Sequence, residues 1–333
     1  MRRYNSAAVL LTDLGGDFNV VAGEKKRVAF SISNFAGDVD TGTLRVELVE
    51  VSRAEAQSRR DGVWSVAKVV GVVRNGEIAA LGEFDIEFPA ADAPEKYLLR
   101  ASFTGGAVTA ENEWELYAFP SPTPLCASAP SAPLCDNVRI VNDISRDELL
   151  LAMERGERVL LLGKGPFKGV KTSYRIGLAG RCGGNYATVI KENHPALDAF
   201  PHEGFCGWQF RRLMEGAYAV QLEADVPFDP IIDIASSDKF AIRQALLFEY
   251  KVGEGRLLVC PLNFPGDDPA AAWLKARLEA YAASDAFAPE QTLATAQLAS
   301  VIDAPLLDGG RNTNNAFNAN DPANAKTTQG KNR

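Results

Sequence analysis

Histidine is nearly missing from this chain, with two in 333 residues. The five cysteines, Cys126, Cys135, Cys182, Cys206 and Cys260, include no Cys-x-x-Cys pair, so zinc-ligand spacing is absent. An odd number also excludes a fully paired disulfide framework, and only Cys126 and Cys135 lie close enough in one loop to bridge. No apolar run approaches the ~20 residues that span a bilayer. Ala7–Leu11, ahead of Asp13, is too short for the apolar core of a secretory leader. The expectation is a soluble chain with no targeting signal, no membrane contact and an undetermined compartment. A basic stripe is lacking too. The net charge is −8, and the small clusters Lys25-Lys26-Arg27 and Arg59-Arg60 read as solvated strand ends. Nucleic acid is therefore excluded as a partner, because its phosphates need a cationic footprint. Nothing calls for a cofactor.

What is present is ordinary for a globular protein: 46% apolar and 23% charged residues. The length exceeds the size at which one core stops growing, so two domains are expected. Residues 8–119 read as strands. Val9–Thr12, Arg27–Ser33, Thr43–Glu50 and Tyr97–Phe103 largely alternate apolar and polar side chains, and glycine, aspartate and asparagine punctuate them. Asn75-Gly76 between Val73 and Ile78 is a hairpin signal. Short strands at this spacing predict an antiparallel immunoglobulin-like β-sandwich over residues 1–119. Pro120–Pro133 holds five prolines in fourteen residues, which marks 120–136 as an extended linker.

The pattern then changes. Val138–Val141 is a predicted strand, and Ser145–Arg155 a helix with a Ser145/Glu148 capping box. Arg158–Gly163 is a continuously apolar strand, as expected where both faces of a sheet are covered. Leu246–Gly253 and Gly255–Phe264 read as a hairpin. Asp268–Ser284 reads as a helix carrying Trp273, Leu274, Leu278 and Tyr281 on one side. This order predicts a doubly wound α/β domain over 137–290, followed by an extension (291–333) that is disordered from about 308.

Chemically capable residues fall in three places. In Asn112-Glu113-Trp114 an Asn-Glu pair resembles how retaining glycosidases present an acid/base carboxylate. Strand alternation, however, puts Asn112, Trp114, Leu116 and Ala118 on the core face and Glu111, Glu113, Glu115 and Tyr117 on a solvated one. In Gly180-Arg181-Cys182-Gly183-Gly184-Asn185 the glycine-flanked cysteine resembles the nucleophile elbow of class I amidotransferases. Such an elbow needs a distant histidine and glutamate, whereas His202-Glu203 follows within about twenty residues and as an adjacent pair. A thiol without a base stays protonated. The third place is Asn193-His-Pro-Ala-Leu-Asp-Ala-Phe-Pro-His-Glu-Gly-Phe-Cys-Gly-Trp-Gln-Phe210, which holds both histidines. Its prolines and rings suggest a pinned loop with His194 in a turn and His202 bonded to backbone.

That segment, with Gly253–Asn263, the helix from Ala270 to Ser284 and the strand ending Asn112-Glu-Trp-Glu-Leu-Tyr-Ala-Phe-Pro120, resembles the C-terminal region of bacterial glycoside hydrolase family 2 proteins. The match spans roughly residues 8–290. It implies an immunoglobulin-like module followed by a class I glutamine-amidotransferase-like α/β domain that has lost its catalytic set. In such proteins the catalytic carboxylates lie on a (β/α)₈ barrel of about 250 residues. No stretch here alternates eight strands with eight helices, so no catalytic residue is carried over. The resemblance implies a non-catalytic accessory region with an architectural, assembly or carbohydrate-proximal role. Its partner would be a catalytic barrel or a second copy of the chain. A stand-alone carbohydrate-binding or scaffold protein is the alternative, and a cysteine hydrolase or amidotransferase using Cys182 the remote one. Candidate contacts to a partner or sugar are His202, Trp208, Arg181 and Asn185, and no metal site is expected.

Overall fold

The computed structural model describes residues 6–51, 62–121, 137–174, 185–222, 226–235 and 242–306. Arg59-Arg60, most of the proline-rich stretch, the Cys126/Cys135 pair, Arg181, Cys182 and the tail from 308 lie outside the described residues. The described chain is β-rich with few helices.

The N-terminal half contains β1 (Ala8–Thr12), β2 (Asn19–Val21), β3 (Lys25–Asn34), β4 (Gly42–Val51), β5 (Trp64–Val70), β6 (Glu77–Glu87), β7 (Glu95–Gly105) and β8 (Val108–Phe119). They form a three-stranded sheet, β1-β3-β6, and a five-stranded one, β2-β8-β7-β4-β5. Leu10, Phe30 and Ile32 from the first meet Leu44, Val46, Leu99 and Phe103 from the second in one core, each at most 1% exposed. Alternating strands produce this arrangement, since each sheet hides one face against the other. The expected Asn75-Gly76 hairpin is not found. β5 pairs with β4 and β6 with β3, so Asn75-Gly76 turns the chain from one sheet to the other. The Asn75 N–H binds Asp38 and that of Gly76 binds Asn34 O, which commits both donors to the sheet-crossing loop.

The C-terminal half contains β9 (Val138–Val141), α1 (Arg146–Glu154), β10 (Arg158–Leu161), β11 (Gly169–Lys171), β12 (Ala187–Ile190), α2 (Arg211–Met214), β13 (Tyr218–Gln221), β14 (Ile232–Ala235), β15 (Gln244–Val252), β16 (Gly255–Val259), α3 (Pro269–Ala283), β17 (Thr292–Leu293) and α4 (Thr295–Asp303). The capping box of α1 is present, with the Ser145 side chain accepting from the Glu148 amide. One mixed sheet runs β11-β13-β15-β16-β10-β9, with β14 and β17 also on β15. Parallel pairing is confined to β9-β10-β16 and the short β15–β17 contact; every other pair is antiparallel. The sheet therefore departs from a fully parallel, doubly wound one. The cause is local: Gly253 (φ 57°) and Glu254 close a tight β15–β16 turn, and a tight turn permits only antiparallel strands.

The continuously apolar β10 has the predicted explanation. Val159 and Leu161 enter a core with α1 and α4, while Leu160 and Leu162 enter one with α3 and the histidine-bearing segment. α4 lies in the stretch assigned to a C-terminal extension, yet it buries Leu298, Val301 and Ile302 against α1 and the sheet.

The two halves meet in a buried seam. Alternation of burial along β8 holds from Val108 to Glu113 and is lost at its end, where Leu116, Tyr117, Ala118 and Phe119 are all buried. Leu116 and Ala118 face the sandwich core, and Tyr117 and Phe119 enter the core of the other half. Phe119 meets Phe200 at 5.6 Å, and Phe200 meets Phe210 at 5.0 Å. Asn19 Nδ2 donates to Gln209 O (3.1 Å) and to Asp268 Oδ1 (3.0 Å). The same Asp268 oxygen accepts from the Ala270 amide and caps α3. Arg211 donates to Gly16 O at 3.0 Å, and a Cβ on Gly16 would fall 2.0 Å from its guanidinium carbon. Lys96 of β7 bridges Glu115 (2.7 Å) and Glu203 (2.6 Å) across the seam.

Burial pushes the Asp268 carboxyl above its ordinary 3.8, although Asn19, the α3 amides and Arg212 oppose the shift. A raised carboxyl means that the folded state holds the proton more tightly. Its stabilising contribution is complete below pH 3.8 and is lost as pH rises through the raised value. Asp268→Asn keeps the cap and cannot ionise. The stability of this variant relative to the parent is expected to increase between pH 4 and 7 in urea titrations; a constant difference would refute the assignment.

Candidate functional site

The histidine-bearing segment forms a ridge between two clefts. The larger, about 960 Å³, lies between residues 192–204 and α3. The smaller, about 500 Å³, lies between the ridge and the sandwich, where Lys96, Glu115, Tyr117 and Phe205 line it. His202 and Glu203 border both.

Proline and histidine chemistry shapes the ridge. His194 caps a 3₁₀ turn, Pro195–Leu197, its Nδ1 accepting from the Ala196 amide at 3.3 Å. This leaves Nε2 as the protonated nitrogen, 3.6 Å from Glu249 Oε1. Tyr281 donates to Glu249 Oε2 at 2.8 Å and packs edge-on against His194 at 5.6 Å. Burial, then the Glu249 charge, raises the Tyr281 phenol well above its ordinary value, so it remains a donor. Both His194 nitrogens are directed at the protein's own groups, and the Tyr281–Glu249–His194 cluster braces the turn. His202 likewise accepts the Gly204 amide on Nδ1 at 3.3 Å.

Trp208 lies apart from both clefts. It is 40% exposed and sits between Phe18 (4.5 Å) and Tyr174 (5.1 Å). Asn185 joins this group, its Nδ2 donating to Tyr174 O at 3.4 Å while its buried Oδ1 has no donor. Of the residues singled out from sequence, Trp208 and Asn185 thus converge through Tyr174, and His202 lies on the ridge, outside that group. Arg181 is outside the described residues. Sequence reasoning missed Glu249, Asp198 and Arg277. A carboxylate between Phe248 and Tyr250 in a buried strand was the available signal for Glu249, whereas the other two carried none.

Burial raises the thiols of Cys206 and Cys260 to about 12 each. Asn112 is buried and donates to Leu10 O at 2.9 Å, while Glu113 lies 3.6 Å from Arg100 on the outer sheet face, as alternation predicts. Burial lowers and the hydrogen bonds to Glu115 and Glu203 raise the pKa of Lys96, which ends above its usual value and stays cationic. Among the described residues no group of three or more histidine, cysteine, aspartate or glutamate side chains is placed to hold a metal ion. No described helix is long and apolar enough to cross a membrane.

The profile of a family described as "Domain of unknown function (DUF8487)" matches residues 140–303, from β9 to the end of α4. No curated protein sequence matches the chain. Solved structures with partial likeness include red sea bream transglutaminase (12% identity, TM-score 0.27, 35% of this chain and 17% of that one). Others are a family 123 glycoside hydrolase from Clostridium perfringens (10%, 0.23, 45% and 32%) and a β-glucuronidase from Parabacteroides merdae (12%, 0.22, 47% and 21%). The chain spans less than a third of each of these three proteins.

With Cys126, Cys135 and Cys182 replaced by serine, the two buried thiols are expected to resist labelling at pH 8 until denaturant is added. Prompt labelling of the folded protein would contradict their burial.

Proposed function

We propose that this chain is a non-catalytic accessory region of a carbohydrate-active protein of the glycoside hydrolase family 2 type. In this reading, an immunoglobulin-like sandwich (1–119) and an amidotransferase-like α/β unit (137–290) are locked into one rigid body that positions a catalytic barrel partner or a second copy. One observation carries the proposal: the segment that resembles the family commits its side chains to joining the halves. Phe200 and Phe210 line the seam, Gln209 accepts from Asn19, and Glu203 holds Lys96. His194 supports this role, with both ring nitrogens directed at the protein's own groups.

A second reading, carbohydrate binding by the chain alone, draws on Trp208. Its exposed face on the Phe18–Trp208–Tyr174 stack suits the C–H face of a sugar, and the open Asn185 carbonyl lies beside it.

The architectural reading expects one cooperative calorimetric transition for the intact chain. Phe200→Ala, which removes a fully buried ring worth about 3–5 kcal/mol, is expected to split it into two. The chain alone is expected not to turn over aryl glycosides. Turnover abolished by replacing a single carboxylate, or two independent transitions in the unmodified chain, would overturn the proposal.

A further inference from the structure

We infer that the outer face of the three-stranded sheet β1-β3-β6 is a contact surface for a second copy of this chain. Three observations converge there. The first is the absence of charge. Strand register lays Val9, Ser33 and Ile78 in one row across the sheet and Leu11, Ser31 and Ala80 in the next, on the face turned away from the core. Phe35 continues the pattern past Ser33, its amide bonded to the Ala7 carbonyl. None of these eight residues is charged, although Phe35 is 66% and Ile78 71% exposed. The outer face of the five-stranded sheet is the opposite case, with Arg45, Glu47, Arg100, Glu111 and Glu113 in adjoining rows. A chain of net charge −8 repels its own copies, and a neutral face lets two identical surfaces meet without setting like charges opposite each other.

The second is shape. Large and small side chains are distributed so that the face complements itself. A half-turn about an axis along the Val9–Ser33–Ile78 row sets each strand over its own counterpart, running the other way. Phe35 then stands over the partner's Ser31, Leu11 stands over the partner's Ala7, and the two Ile78 side chains meet at the axis. Such a contact is isologous, and its aligned strands reproduce the way sheets stack in a sandwich.

The third is the closure of other routes to association. β1, β5 and β6 are sheet edges. On the open side of β1, Asn112 Nδ2 occupies the Leu10 carbonyl at 2.9 Å. Lys68, on the core side of β5 opposite Leu44, reaches across to β6, its Nζ 5.9 Å from the centre of the Phe84 ring. Gly82 of β6 makes room for it, since a Cβ there would lie 2.3 Å from the same nitrogen. A lysine turned inward from an edge strand opposes edge-to-edge pairing, which leaves the neutral face for association.

The inference names the second copy that the architectural reading leaves open, and rests on that reading only for the expectation of assembly. Sedimentation equilibrium of the whole chain from about 1 to 500 μM tests it. A reversible monomer–dimer equilibrium with a Kd of about 10–100 μM is expected, because the face is smaller than the roughly 20–30 residues a side of a standard interface. Ile78→Lys sets two lysines together at the axis and should weaken dimerisation more than about tenfold, and Phe35→Ala about tenfold. Val69→Lys, at an exposed position on the other sheet, should change nothing. Mixing Ile78→Lys with Ile78→Asp should restore association, since a two-fold through this row brings the two positions together. These side chains lie outside the core, so a thermal midpoint equal to the parent's separates lost contact from lost fold. A monomer at every concentration, a dimer indifferent to Ile78→Lys, or no rescue on mixing would each overturn the inference. Those failures are read from mass and leave the architectural reading standing, because cooperative melting decides it.

Discussion

The burial of one strand end on both of its faces governs this structure. β8 enters as an edge of the sandwich core and leaves as part of a second core, with Tyr117 and Phe119 turned into the α/β half. A strand end buried on both sides keeps its rings from water only while both cores are in place. The Phe119–Phe200–Phe210 succession joins the two sheet systems through contacting rings.

Polar groups at the seam give it a single register. Hydrophobic contact alone tolerates sliding, whereas Asn19 bonds the Gln209 carbonyl and the Asp268 cap together, and Arg211 fits only because Gly16 lacks a side chain. The arrangement is not fully satisfied: Asn19 Oδ1, Gln209 Oε1 and Asp268 Oδ2 are buried without donors.

The ridge shows why rare, reactive residue types need not mean catalysis. Each histidine accepts a local backbone amide, a Pro-rich loop requirement, since proline supplies no donor and its neighbours must complete the turn. Cys206 and Cys260 sit too deep to ionise near neutral pH. What the ridge leaves to solvent are the two cleft walls and the His202–Glu203 crest between them.

Much of the local structure was legible in the residues. Period-two alternation located the sandwich strands, the Ser145/Glu148 box located α1, and the unbroken apolar run of β10 announced a sheet covered on both faces, because these signals depend only on neighbours in sequence. Asn75-Gly76 misled for the same reason. A turn signal states that the chain reverses, but not whether the next strand joins the same sheet. The mixed pairing of the second sheet, the burial of Tyr117 on a face that alternation marks as solvated, and the meeting of Asp198 with Arg277 across 79 positions were decided by packing alone. Sequence by itself determined which segments are strands and helices and which of their faces seek cover. Tertiary structure decided what covers them, because the energy of burial depends on the shape of the partner and leaves no periodic trace in either segment.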